Sequence, residues 1–248
     1  MIENKNNLVI ETKNVEKKFF KYKAVDKLNL QVKKGEIVAL LGSNGAGKTT
    51  VINMLLGLLL PSKGKITVLG QDMSRFHYNI LDKLNLSSPY IELPNRLKVK
   101  QNLTIYGYLY GVINIKERIL KLAKELKFDD ILEKRYGTLS SGQKAKVLLA
   151  KALINNPEIL FLDEPTSSLD PDASDWVRSY IAKYRLDSKA TILIASHDMA
   201  EVERLCDTVY MMKEGKIVDK GSPKDLIFKH GRKTLEEVFL AIARKNGN

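Results

Sequence analysis

The chain has 248 residues, 44% apolar and 28% charged, a globular balance that excludes disorder and allows one large α/β domain or two small ones. Its one cysteine, Cys206, excludes an internal disulfide framework and a cysteine-cluster metal site, and is predicted to be a small buried apolar residue. The net charge of +12 comes without a tight basic block or a nucleic-acid module signature, so no nucleic-acid partner is expected.

The apolar runs of the chain are short. None reaches the roughly 18 to 20 residues that a membrane-spanning helix needs, and the first residues lack the apolar core of a signal peptide. The longest run, VINMLLGLLLP at 51–61, contains Asn53 and predicts a buried helix. We therefore expect a cytosolic protein that reaches a membrane only through a partner.

The first part of the chain is rich in predicted strands. LVIETKNVEKKFF and LNLQVKKGEI alternate apolar and polar residues, which predicts two short strands. EIVALLG predicts a third, buried strand that enters a glycine-rich stretch. KTTVINMLLGLL then predicts a helix, and PSKGKITVLGQDM a strand between two turns.

From about residue 90 to residue 156 the pattern becomes helical. In KERILKLAKELKF, the residues Ile119, Leu122, Leu126 and Phe128 form an amphipathic stripe. EILFLDEP and ATILIASHD then predict parallel strands that are buried on both faces. VYMMKEGKIVDKGSP predicts a terminal hairpin, and TLEEVFLAIARK a last short helix.

The stretch GSNGAGKT satisfies the phosphate-loop pattern G-x-x-x-x-G-K-[ST] and lies between a predicted strand and a predicted helix. Glycines permit the curled backbone that points N–H groups at phosphate, Lys48 reaches the β and γ phosphates, and the Thr49 hydroxyl is a ligand for Mg²⁺. The residues predicted to contact a nucleotide here are Ser43, Asn44, Gly45, Ala46, Gly47, Lys48, Thr49 and Thr50.

Acidic residues end the next buried strand, ILFLDE. Asp163 is expected to hold Mg²⁺ through water, and Glu164 to polarise the water that attacks the γ phosphate. His197 follows the neighbouring predicted strand and is expected to contact the γ phosphate or to order that water. An acidic pair or a lone histidine indicates little by itself, but the phosphate loop upstream gives both a function.

A second loop, LSSGQ in the stretch YGTLSSGQKAKVLLAKAL, also has small residues before a helix and is suited to hold an anion. Taken in order, GSNGAGKT, LSSGQ, ILFLDEP, SSLD and SHD resemble the nucleotide-binding domain of ATP-binding cassette (ABC) proteins over nearly the whole chain. The usual form of the second loop in that family is LSGGQ. Here Ser141 replaces the first glycine and leaves Ser140, Gly142 and Gln143 available to phosphate.

The resemblance implies an α/β fold of the P-loop NTPase class, with a RecA-like core, an antiparallel β subdomain and an α-helical subdomain. It also implies one ABC ATPase domain over residues 1–248. In this division the ranges 1–86 and 157–220 form the core with its β subdomain, 87–156 the helical subdomain, and 221–248 a C-terminal helical tail.

The same resemblance implies that two such domains pair head to tail, so that each ATP lies between the phosphate loop of one subunit and the LSSGQ loop of the other. The partner is a second copy or a related ABC ATPase. Asp170 of SSLD would cross between the two sites, and Phe19 would stack on adenine. Packing of Phe19 within a strand remains the alternative.

The chain departs from the family where a glutamine that contacts Mg²⁺ and water is expected. Ser87, Ser88 and Pro89 occur there instead. Ser88 is therefore predicted as a substitute ligand, with a shorter side chain that puts the coupling between the helical subdomain and the site in doubt. Hydrolysis is expected to survive this change.

Tyrosines follow this segment, at Tyr90, Tyr106, Tyr108 and Tyr110. In ABC transporters a groove here receives a short helix of the membrane subunit, and amphipathic tyrosines suit such an interface. The alternative is that they fill the core of the helical subdomain. If they form the interface, substitution of Tyr90 or Leu93 would uncouple transport and spare basal ATPase activity.

The resemblance implies an ATPase subunit on the cytoplasmic face of the cell membrane, bound to an integral membrane permease. The tail KTLEEVFLAIARK resembles the endings of exporter subunits and favours export over import. Two alternatives stay open: a soluble ABC ATPase, such as one serving iron–sulfur cluster assembly, and a regulatory ATP binder without hydrolysis. The transported substance would be recognised by the permease, so no residue of this chain names it.

Overall fold

The computed structural model of the protein describes residues 7–75, 77–167 and 169–245. Ser168, the second serine of SSLD, lies outside the described residues. The strands are β1 (Leu8–Phe19), β2 (Tyr22–Leu28), β3 (Gln31–Lys33), β4 (Ile37–Leu41), β5 (Lys63–Val68), β6 (Gln71–Asp72), β7 (Leu84–Ser87), β8 (Ile159–Asp163), β9 (Thr191–Ser196), β10 (Thr208–Lys213) and β11 (Lys216–Gly221). The α-helices are α1 (Lys48–Leu55), α2 (Val99–Leu109), α3 (Ile115–Glu125), α4 (Ser141–Ala152), α5 (Pro171–Ser188), α6 (Met199–Leu205), α7 (Pro223–Lys229) and α8 (Leu235–Lys245).

The first six strands of the chain include the five of an antiparallel sheet, in which β2, β1, β5 and β6 are neighbours in that order and β3 also pairs with β1. The expectation of two strands before residue 37 was wrong, because β1 turns back at Phe20 to pair with β2. The turn lacks the glycine or asparagine that usually marks a hairpin, and Phe20 itself takes a positive φ of 50°.

The second sheet has six strands in the order β11-β10-β4-β9-β8-β7. The predicted buried strands β4, β8 and β9 are neighbours in it and run parallel, and the predicted hairpin is β10 with β11. Leu41 of β4 lies opposite Ser196 of β9, and Asp163 of β8 lies opposite Ala195. The carboxyl ends of these strands therefore meet at one edge of the sheet.

Each face of the parallel sheet has its own apolar core. Successive residues of β4, such as Val38 and Ala39, enter different clusters, so the strand is buried on both faces. One cluster packs the sheet against α1 and the antiparallel sheet. The other packs it against α4 and the helical segment, and includes Ile119, Leu122, Leu126 and Phe128. The predicted amphipathic stripe is thus confirmed.

The helices α2, α3 and α4 lie between strands β7 and β8, within the range predicted as the helical subdomain. The subdomain boundaries themselves stay predictions. The predicted last helix is α8. Cys206 is buried, and burial raises the pKa of its thiol well above the usual value. Across the described ranges no helix has the length and apolarity that a membrane crossing requires.

The helix predicted over 51–61 is shorter than expected. Helix α1 ends at Leu55, because Gly57 takes a left-handed φ of 72° and the Leu58 N–H turns back to the Asn53 carbonyl at 2.9 Å. Leu58 and Leu60 are consequently exposed, at 70% and 58%. The apolar run therefore divides into a buried helix and an exposed apolar loop.

Candidate nucleotide site

The glycine-rich loop connects the carboxyl end of β4 to the first turn of α1. Gly47 takes a φ of 100° at the residue before the helix, a conformation that a side chain at this position would strain. A Cβ atom on Gly42 would lie 2.5 Å from the Met212 carbonyl oxygen of β10. These glycines allow the backbone to curl closely at the edge of the sheet, with the amino end of α1 facing the pocket.

Lys48 places a cation inside this loop. Its side chain is 5% exposed, and Nζ donates to the carbonyl oxygens of Gly42 at 2.6 Å and Ser43 at 3.3 Å. Nζ also lies 3.2 Å from Oε1 of Glu164, which follows β8. The cation is therefore held at the centre of the loop by groups that phosphate oxygens could replace.

Thr49 and Asp163 join the loop to the neighbouring end of β8. The Thr49 hydroxyl donates to Oδ2 of Asp163 at 3.0 Å. Oδ1 of Asp163 is buried and has no hydrogen-bond partner in the described ranges. Burial raises the pKa of Asp163, and the bond from Thr49 opposes the rise. A hydroxyl and an orphaned carboxylate oxygen are hard ligands, and they fit a site for Mg²⁺.

Glu164 and His197 form a pair beside the loop. Nδ1 of His197 lies 2.7 Å from Oε2 of Glu164, and the carboxylate is nearly buried while the imidazole is half exposed. Glu164 takes a φ of 50°, an uncommon conformation for a residue other than glycine. Strained backbone of this kind occurs often at functional sites. The Glu164 N–H donates to the Ala195 carbonyl at 2.8 Å, which fixes the turn after β8 on the neighbouring strand β9.

A pocket of about 470 Å³ opens over the loop. It is lined by Phe19, Tyr22, Ala24, the loop residues Ser43, Asn44, Gly45, Ala46, Gly47, Lys48, Thr49 and Thr50, and by Tyr90 and Glu164. Phe19 is 42% exposed, so its ring is available to a flat ligand. The structure thus brings the predicted loop residues, Phe19 and Glu164 around one cavity.

Sequence reasoning missed Tyr22 and Tyr90 as lining residues of this pocket. Tyr22 lies across the two-residue turn from Phe19, and its hydroxyl donates to the Gly45 carbonyl at 3.5 Å. The cluster of aromatic residues at Phe19, Phe20 and Tyr22 was the sequence signal that could have indicated Tyr22. No pattern indicates Tyr90, because its position depends on how the chain leaves β7.

The LSSGQ residues lie apart from this pocket, at the amino end of α4. Ser140 Oγ accepts from the Gln143 N–H at 3.3 Å, and Gln143 Oε1 accepts from the Ser140 N–H at 3.1 Å. This reciprocal cap leaves Ser140 on the surface, next to the small Gly142. Asp170 caps α5 in a similar way, accepting from the Ala173 N–H at 2.8 Å. The phosphate-loop pocket is not lined by any of the predicted residues Ser140, Gly142, Gln143 and Asp170.

Ser88 follows β7, the edge strand beside β8. It is 5% exposed, and its hydroxyl oxygen accepts the N–H of Tyr90 at 3.4 Å in a local turn. Within the described ranges no hydrogen bond joins Ser88 to Thr49 or Asp163. Its role as a metal ligand stays a prediction.

The tyrosines after β7 do not share one environment. Tyr90 and Tyr108 are exposed, at 77% and 70%, whereas Tyr106 and Tyr110 pack partly against the helical core. Leu93 is 1% exposed and belongs to that core. The core interpretation therefore holds for Tyr106 and Tyr110, the interface interpretation stays a prediction, and the buried Leu93 is unsuitable for testing an interface.

Comparison with known proteins identifies the family. The family model described as ABC transporter matches residues 25–167. The ABC transporter ATP-binding protein NatA of Bacillus subtilis (strain 168) is 38% identical over 88% of this chain and 90% of that protein. The Nod factor export ATP-binding protein I of Rhizobium sp. (strain N33) is 35% identical over 94% of this chain and 77% of that protein. The bacitracin transport ATP-binding protein BcrA of Bacillus licheniformis is 36% identical over 92% and 74%.

Solved structures give the same result for the fold. The ATP binding subunit of an ABC transporter superposes with a TM-score of 0.86 at 25% identity, over 95% of this chain and 100% of the other. The protein cbiO1 of Clostridium perfringens superposes with a TM-score of 0.78 at 28% identity, over 90% of this chain and 92% of the other. The predicted fold class, an α/β P-loop NTPase with added helices, is confirmed. The chain belongs to the ABC transporter family and is an ATP-binding ATPase of that family.

Proposed function

We propose that this ATPase powers export through a separate membrane permease, as a dimer that holds two ATP molecules. The observation that carries the proposal is the separation of two half-sites on one chain. Lys48 and Glu164 line the phosphate-loop pocket and His197 contacts Glu164, whereas Ser140, Gly142 and Gln143 of the LSSGQ loop do not line that pocket. A second subunit arranged head to tail would supply the missing half to each pocket.

The residues of the pocket divide the work of hydrolysis. Loop N–H groups and Lys48 bind the phosphates, and Thr49 with Asp163 would hold Mg²⁺. The ion, when bound, neutralises charge on the β and γ phosphates. Glu164 orients the attacking water and accepts its proton, and His197 keeps the carboxylate in place through their 2.7 Å contact. Phe19 stacks on the adenine.

The dimer uses the exposed amino end of α4. Ser140, Gly142 and Gln143 would meet the γ phosphate bound by the other subunit, where backbone N–H groups and the helix dipole favour an anion. Asp170 at the start of α5 would lie between the two sites. The partner is a second copy of this chain or a related ABC ATPase, because the chain carries both halves of the site.

The permease would dock in a groove between the parallel sheet and the helical segment. The groove has a volume of about 430 Å³, and Leu56, Leu86, Tyr110 and the exposed Leu58 and Leu109 line it. Apolar side chains together with a tyrosine suit the apolar face of a short helix. Docking there would place the protein at the cytoplasmic face of the cell membrane. Relatives named for Nod factor export favour the export direction.

The test is to isolate a tagged Glu164→Gln form from its native cells in mild detergent with Mg²⁺ and ATP, and to identify its partners by mass spectrometry. This variant is expected to retain ATP and the dimer. A multi-span membrane protein that co-purifies, and that is lost from a Leu58→Glu/Glu164→Gln control, in which a charge enters the proposed groove, would support the proposal. Only soluble partners would reject the permease and favour a soluble ABC ATPase, such as one serving iron–sulfur cluster assembly.

A further inference from the structure

Glu201, in the first turn of α6, is a carboxylate inside the protein. Its exposed fraction is 0%, and burial raises its pKa. Oε1 accepts from the Thr166 hydroxyl at 3.0 Å, and Oε2 accepts from the Ser196 hydroxyl at 2.7 Å. Each oxygen therefore has a donor, which is the condition under which a buried carboxyl group is tolerated.

The two hydroxyl groups belong to the two turns that carry the catalytic pair. Thr166 lies two residues after Glu164, in the turn that follows β8. Ser196 is the last residue of β9 and directly precedes His197. The buried Glu201 side chain thus links the turn after β8 to the end of β9. Glu164 and His197 form a second link between the same two strand ends, at 2.7 Å.

The link extends to the residue after His197. The Ser196 hydroxyl, which donates to Glu201, accepts the Asp198 N–H at 3.0 Å. Asp198 Oδ1 accepts the Glu201 N–H at 3.0 Å, and Asp198 Oδ2 accepts from Arg178 at 2.8 Å. His197 therefore lies between Ser196, whose hydroxyl binds the Glu201 carboxylate, and Asp198, whose N–H binds that same hydroxyl.

We propose that Glu201 is a positioning residue for hydrolysis, which holds the turns of Glu164 and His197 at the separation that the pair needs. The inference rests on the roles proposed above for Glu164 and His197. Glu201 does not line the nucleotide pocket. Its removal should therefore change turnover and leave nucleotide affinity intact, because a misplacement of about 1 Å is enough to slow a reaction about 100-fold.

The experiment compares Glu201→Ala and Glu201→Gln in the full chain. Turnover and ATP affinity are measured separately, the second by titration of a fluorescent ATP analogue. We expect Glu201→Ala to lower kcat roughly 10-fold to 100-fold and to leave the Kd within about threefold. Glu201→Gln keeps a polar atom for each hydroxyl and should restore kcat to within about fivefold of the wild type.

Two further variants keep the outcome clear. Thr166→Val is nearly isosteric and removes one donor, so it should lower kcat with little effect on Kd even if Glu201→Ala does not fold. Glu203→Ala is the matched control, since Glu203 lies on the same helix but binds the Leu235 N–H at 3.0 Å. It should keep wild-type turnover.

The inference is overturned if Glu201→Ala keeps kcat within twofold, if kcat and affinity fall together, or if Glu201→Gln restores nothing. A parallel Glu164→Gln assay separates this failure from failure of the proposed function. If Glu164→Gln is inactive while Glu201→Ala is fully active, only the positioning role fails. If Glu164→Gln hydrolyses ATP normally, both fail.

Discussion

The Glu164 carboxylate bridges His197 and Lys48: Oε2 lies 2.7 Å from Nδ1 of His197, and Oε1 lies 3.2 Å from Nζ of Lys48. Phosphate oxygens compete with the second contact, because they are the stronger anion for Lys48. Binding of ATP should therefore release one oxygen of Glu164 and leave the other on His197. The carboxylate would then be free to accept a proton from water only when nucleotide is present.

Glu164→Gln is accordingly expected to lower ATP turnover by roughly 100-fold or more, the usual contribution of a general base. ATP affinity should stay equal or increase, because Gln cannot compete for Lys48 as an anion. Phosphate release and ATP titration measure the two effects. Glu158→Gln is the surface control, since the exposed Glu158 side chain pairs with the exposed Lys83 at 3.3 Å. Loss of ATP affinity in Glu164→Gln would contradict this arrangement.

Phe19→Ala should weaken binding of ATP and GTP by similar factors. Stacking on an aromatic ring contributes about 1 to 3 kcal/mol per base and discriminates little between bases. Binding should therefore weaken roughly 5-fold to 150-fold for both nucleotides, as measured by competition with a fluorescent analogue. Phe20→Ala is the matched control, because Phe20 is fully exposed and does not line the pocket. An equal loss in both variants would contradict the role of Phe19.

The edge of the sheet that carries the site could be predicted from the sequence for a physical reason. Buried parallel strands end at the same edge, so the loop after β4, Glu164 after β8 and His197 after β9 had to lie close together. The contribution of Tyr90 could not be predicted, since no strand periodicity or spacing sets the direction of the turn after Ser88. Glu201 reads as an ordinary helix-start acid until the fold places it between two hydroxyl groups.

Ser88→Ala separates a local turn from a metal ligand. Because the Ser88 hydroxyl accepts the Tyr90 N–H, we expect the variant to keep the wild-type dependence of turnover on Mg²⁺ within about twofold. Thr49→Val, which removes the hydroxyl bonded to Asp163, should raise the Mg²⁺ concentration for half-maximal turnover at least about tenfold. The measurement is turnover against Mg²⁺ at fixed ATP. A tenfold shift in Ser88→Ala would instead support the predicted ligand.

Lys151 of α4 is a buried cation at the groove proposed for the permease. It is 6% exposed, and Nζ donates to Asn85 Oδ1 and to the Leu86 carbonyl, both at 3.1 Å. Burial lowers the pKa of Lys151 from 10.5 to about 8. Between these two values the unfolded chain binds one more proton than the folded chain. The free energy of unfolding should therefore rise with pH across this interval, by on the order of 3 kcal/mol in total.

Urea unfolding from pH 7 to pH 10 measures this rise, and Lys151→Met provides the comparison. The variant removes the titrating group at nearly constant side-chain volume, so its stability should change less with pH than that of the wild type. Taking the difference between the two curves cancels the titration of groups that both proteins share. Lys121→Met is the control, since the Lys121 side chain is 66% exposed, and its curve should follow the wild type. Parallel curves for wild type and Lys151→Met would mean that Lys151 keeps an ordinary pKa in the folded protein, with its two hydrogen bonds offsetting the burial.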